Sequence, residues 1–213
     1  LEIQRRTLGE EHHFTLATAL QLGNLYHSQS RYAEAEKLAT ETRETQRRIL
    51  GAAHRETLAS MMCVAGARAR QGHYREAERL LTEALEIQRR TLGAEHPHTL
   101  KTSGNLSLIY AFQERFEEAA KLGCQTLEIL RRVLGPAHPD TLLYRSNLAE
   151  VYRKQGRYRE AEKLCAKTLE IRRRVLGPEH PNTLVSMGNL ASVYSSQGLY
   201  KEAVKIFRDQ LPI

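Results

Sequence analysis

The stretch Leu134-Gly135-Pro136-Ala137-His138-Pro139-Asp140-Thr141 decides the fold, because its frame returns every 42 residues. Leu-Gly stands at Leu8-Gly9, Leu50-Gly51, Leu92-Gly93, Leu134-Gly135 and Leu176-Gly177. Three residues past each Gly is a His (His12, His54, His96, His138, His180), and three further on a Thr (Thr15, Thr57, Thr99, Thr141, Thr183). A chain with so strict a period is an array of like units, each contacting its neighbours, rather than a globule around one buried site.

Each unit reads as two helices. Gly135 is placed to close the helix before it. Pro139 suits a first helical position, with His138 as N-cap and the Thr141 hydroxyl available to the first turn. Helix A is predicted over about 139–155, with Leu142, Leu148, Ala149, Val151 and Tyr152 at helical spacing and Gly156 as the break. Helix B opens near Tyr158 and runs to Leu176. A small residue recurs where the two helices should cross: Ala35, Ala77, Ala119, Ala161 and Ala203. The aromatic opening helix B (Tyr32, Tyr74, Phe116, Tyr158, Tyr200) reads as packing. One such pair cannot bury its apolar face alone, so the expectation is a single domain over 1–213, an all-α solenoid.

The net charge is +7, yet the basic residues are themselves periodic: Arg5-Arg6, Arg47-Arg48, Arg89-Arg90, Arg131-Arg132 and Arg172-Arg173-Arg174. Glu2, Glu44, Glu86, Glu128 and Glu170 each precede the second or last Arg of a group by four residues. This is a helix-supporting spacing and predicts a solvated helix face near a C-terminus. A nucleic-acid ridge is the weaker alternative, and it would show steep salt dependence. Cys63, Cys124 and Cys165 lack C-x-x-C spacing, so no disulfide framework or zinc site is expected and a reducing cytoplasm is the default. Apolar runs are too short for a membrane span. Both ends read as cut inside a repeat, which predicts a piece of a longer protein and possible self-association through exposed terminal repeats.

Chemistry is excluded by the same period. One His per unit puts the row on the order of 10 Å apart, whereas a metal needs ligands at about 2 Å. No phosphate-cradling G-x-x-x-x-G-K-[ST] loop and no H-E-x-x-H occurs, and the carboxylates sit on solvated faces or at helix B openings. Neither catalysis, a metal nor a cofactor is expected.

The pattern His-Pro-x-Thr-Leu, Asn147-Leu148-Ala149-Glu150-Val151-Tyr152, Gln155-Gly156-Arg157-Tyr158-Arg159-Glu160-Ala161-Glu162 and Leu-Gly resembles the tetratricopeptide repeat (TPR). It is similar in particular to the 42-residue form of kinesin light chains and related bacterial and fungal arrays. The resemblance implies a right-handed superhelix whose A helices line a concave groove for short acidic peptides. It maps the groove asparagine to Asn105, Asn147 and Asn189, a neighbouring serine to Ser146 and a lysine to Lys101. Arg70, Arg153 and Lys154 should lie near the same side and attract carboxylates. The first unit has Gln21 and the second Cys63 at the Asn position; Arg68 replaces the Tyr, and Glu114 the turn Gly. Groove chemistry is therefore expected to be best preserved in units three to five. The leading function is a non-catalytic scaffold for a protein or peptide partner. The alternative is the sensor or self-association region of a nucleotide-driven signalling protein.

Overall fold

The computed structural model describes residues 1–208, so the stretch 209–213, where the sequence was read as stopping inside a repeat, lies outside it. The described residues form eleven α-helices and no strand: α1 Glu2–Leu8, α2 His13–Ser28, α3 Tyr32–Leu50, α4 Arg55–Arg70, α5 Tyr74–Thr91, α6 Pro97–Phe112, α7 Phe116–Val133, α8 Pro139–Lys154, α9 Tyr158–Leu176, α10 Pro181–Ser196 and α11 Tyr200–Arg208. Even-numbered elements are the A helices and odd-numbered ones the B helices. The chain divides into two compact units, Leu1–Ile109 and Tyr110–Ile213. Within the first, α2 packs on α3, α3 on α4 and α4 on α5; within the second, α7, α8, α9, α10 and α11 pack in the same serial way. A helices also meet one another, α2 with α4 and α8 with α10. This is the stacking of helix pairs that defines an α-solenoid.

The periodic residues set the boundaries. His12, His54, His138 and His180 are N-caps in the extended region. In all five repeats the His Nδ1 accepts the backbone N–H two residues on: Phe14, Glu56, His98, Asp140 and Asn182, at 3.1–3.3 Å. The Thr hydroxyl does not serve the first helical turn as expected. Thr57, Thr99 and Thr183 donate back across the loop to the carbonyls of Gly51, Gly93 and Gly177 at 2.8–2.9 Å, and Thr141 reaches Leu130 O at 3.4 Å. The Leu-Gly glycine is needed because the chain leaves the helix at φ 89°, ψ 164° (Gly51, Gly177), a region essentially restricted to glycine.

Between helices A and B, a second device recurs. The Arg before helix B lies over the helix A Tyr ring (Arg31 on Tyr26, Arg115 on Tyr110, Arg157 on Tyr152, at 4.2–4.4 Å) and pairs with a Glu three residues on, Glu34, Glu118 or Glu160. The second repeat lacks both partners of the stack, having Arg68 and His73 instead. There Arg68 reaches Glu36 on α3 at 2.9 Å, in a half-buried pair. Tyr194 donates to the equivalent Glu162 at 3.2 Å. The turn itself needs a positive φ, which Gly72, Gly156 and Gly198 supply and which Ser30 (61°) and Glu114 (62°) adopt against their side chains. An L-residue held left-handed costs roughly 1–2 kcal/mol, partly offset by glycine's greater unfolded freedom. Glu114→Gly is therefore expected to stabilise the chain by about 0.5–1 kcal/mol, read as a rise in the urea midpoint.

The crossing alanines Ala35, Ala77, Ala119 and Ala161 are fully buried. Around Ala161, in the second unit, pack Ala149, Cys165, Leu169, Met187, Leu190 and Val193. The arginine ridge is a surface, but its ion pairs differ from the expected i, i+4 pattern. Arg5 pairs with Glu41 and Arg47 with Glu83, each at 3.8 Å, joining successive B helices, and Arg48 pairs with Glu11. Arg172 is buried, bonded to Asn182 O and Ser186 Oγ.

Candidate functional site

The A helices of the first unit enclose a cavity of about 710 Å³, lined by α2, α4, α6 and the C-terminal end of α5. Its apolar floor comes from Leu20, Leu58, Met62 and Leu92. Its polar wall carries Asn24, His27, Arg55, His96, His98, Lys101 and Asn105, and no carboxylate is among the lining residues. Lys101 and Asn105, both expected in the groove, lie one helical turn apart on α6 and share this cavity. Cys63 occupies the Asn position on α4, where burial pushes its thiol up. Gln88, behind the wall, is 3% exposed and its Oε1 has no hydrogen-bond partner. A buried acceptor left unsatisfied costs about 1–3 kcal/mol.

The electrostatics are one-sided. His98 is held below the ordinary imidazole value by burial of part of its ring, then by His96, Arg55 and Lys101 around it. Each of these neighbours disfavours the charged form of the His98 ring, and no carboxylate lines the same wall. Gly66 also lines this wall, where an added Cβ would meet His27 Nε2 at 3.8 Å, an ordinary van der Waals contact.

The other expected residues are spread more widely. Arg70 donates to the Tyr32 hydroxyl at 3.2 Å and lies 5.4 Å over its ring. Ser146 donates to Leu142 O within its own helix at 3.0 Å. Asn147 is half-buried on α8, and Lys154 is the exposed last residue of that helix. In the second unit Asn189 and Arg153 share a hollow of about 820 Å³ with Glu150 and Phe207. Arg153 is already engaged there, by Glu150 at 2.7 Å and by Ser196 Oγ at 2.9 Å. The cation of the second hollow thus has an acid beside it in the same wall, whereas no acid lines the first cavity.

Sequence reasoning missed Asn24, His27, Arg55 and His98. The signal was present as departures from the period. Arg55 stands where Pro97, Pro139 and Pro181 stand in later repeats, and His98 where Asp140 and Asn182 do. Among the described residues there is no cluster of His, Cys, Asp or Glu that could hold a metal, and no helix long and apolar enough to cross a membrane.

The tetratricopeptide repeat family profile matches residues 1–48, 15–88, 56–132, 125–162 and 140–213. The chain is similar to the solved structure of a kinesin-light-chain-like protein of Podospora anserina with nearly identical TPR-like repeats: 30% identity, TM-score 0.79, covering 93% of this chain and 94% of that one. A single-substitution variant of that fungal protein aligns with 30% identity and TM-score 0.80 over 91% of this chain and 92% of that chain. BtubC (BKLC) of P. vanneervenii shares the fold at 19% identity, TM-score 0.75, over 96% of this chain and 81% of that one. No curated protein matched in sequence.

Proposed function

Because the chain belongs to the tetratricopeptide repeat family, we propose that it is a non-catalytic scaffold whose first-unit groove binds a short acidic segment of a partner protein. The observation that carries this reading is the cavity wall: Arg55, His98 and Lys101 on two A helices with no carboxylate among them. Asn105 offers both a donor and an acceptor to an extended peptide backbone. The apolar floor takes a neighbouring side chain. The second-unit hollow, with Asn189 and the already paired Arg153, is the weaker site. Three free thiols suit the reducing cytoplasm in which we place the protein.

The test is a fluorescence titration with a labelled acidic peptide. Arg55→Gln and Lys101→Gln, both on exposed side chains, are each expected to weaken binding about 5- to 20-fold, the range of a rim-to-partly-desolvated charge. Unchanged affinity in the double variant would rule out the first-unit groove.

A further inference from the structure

We propose that the first-unit cavity is selective for a phosphorylated side chain, with Arg55, Lys101 and His98 holding the phosphoryl group. This rests on the peptide-groove reading and names the anion that groove prefers. Four groups that are or can become cationic face one another here: His96 and His98 from the start of α6, Lys101 one turn further on, and Arg55 from the start of α4. His27 from α2 and the Cys63 thiol from α4 complete the titratable groups on the wall, and no carboxylate lines it. A carboxylate brings one negative charge and two acceptor oxygens, fewer than the three groups, Arg55, Lys101 and His98, that face it. A phosphoryl group brings about −1.5 to −2 and three acceptor oxygens, enough for two cations and an imidazolium at once.

His98 makes the choice proton-linked. Its imidazole is disfavoured as a cation in the empty cavity, and a dianion beside it reverses the sign of its surroundings, so binding draws a proton onto the ring. The neighbouring His96 is the cap of α6, its Nδ1 accepting the His98 backbone N–H at 3.2 Å.

The experiment uses phenyl phosphate and benzoate as matched probes, an aromatic ring for the apolar floor with either anion. Binding to the 213-residue chain is followed at about pH 7.5, above the ordinary imidazole range, through the His98 ring resonances in a carbon–proton correlation spectrum, assigned with His98→Gln. Phenyl phosphate is expected to bind about tenfold more tightly than benzoate and to move His98 toward its protonated shift. Arg55→Gln and Lys101→Gln should each reduce the affinity for phenyl phosphate about tenfold while narrowing the difference between the probes. Equal affinities, or a phosphate response that persists in the double variant, would overturn the proposal. If the acidic peptide still binds and loses affinity in those variants, the groove reading stands and only the phosphoryl preference falls. If neither the peptide nor either probe responds to the variants, both fall together.

Discussion

Replacing the five capping histidines together by Ala is expected to reduce the stability of the chain by about 3 kcal/mol. In each of the five repeats Nδ1 accepts a backbone N–H at the start of an A helix, satisfying a donor that the helix itself cannot pair. A lost N-cap costs about 0.5–2 kcal/mol, and these solvent-accessible ones belong near the lower end. Urea unfolding measures the loss. Replacing the same histidines by Asp, whose carboxylate also accepts, should keep most of the stability; equal losses in the Ala and Asp variants would refute the cap account. His98, which lies beside one of these caps, gives the chain a pH dependence of its own. Its folded value is depressed by burial and by the cations around it, so the unfolded chain binds more protons as the pH falls past the ordinary imidazole range, and stability present above that range is lost below it.

The second large effect is expected from Ala161→Leu. Ala161 has no solvent exposure and sits among Ala149, Cys165 and Leu169, with the rings of Tyr152 and Tyr158 packed against the same cluster. The added carbons have nowhere to go without parting helices that touch along this line. Overpacking of a well-filled core costs about 1–3 kcal/mol, and a backbone-to-backbone crossing belongs at the top of that range. Since each repeat touches only its neighbours, the loss should concentrate in the second unit. Hydrogen exchange should show amides of α8, α9 and α10 opening while α2 to α4 keep their protection. Uniform loss across the chain would contradict this.

Much of this fold could be read from one repeat, because its boundaries rest on local chemistry. His138, Pro139 and Gly156 place α8 within one residue of its observed end, and the crossing alanines are buried as their spacing demands. What local reasoning missed was long in reach. The Thr57 hydroxyl goes back six residues to Gly51 O, and Arg47 crosses to Glu83 on the next B helix. Neither follows from the i, i+4 rules of a single helix. The site was half legible for a related reason. Lys101 and Asn105 share one helix and one face, so sequence alone could join them. Arg55, His27 and Gln88 come to the same wall only through packing of α2, α4, α5 and α6, and they lie where the repeat breaks its own pattern. Arg153 shows the converse: it is well placed in sequence, but Glu150 one turn before it claims the guanidinium.

If the first-unit wall, and not the arginine ridge, recognises an acidic partner, two charge-matched double variants should part company in the same acidic-peptide titration. One carries Arg55→Gln with Lys101→Gln, the other Arg131→Gln with Arg132→Gln. Each removes two positive charges, so nonspecific attraction falls equally. The groove variant is expected to lose more than about tenfold in affinity and the ridge variant less than about threefold. Equal losses, or a larger loss in the ridge variant, would contradict recognition by the wall.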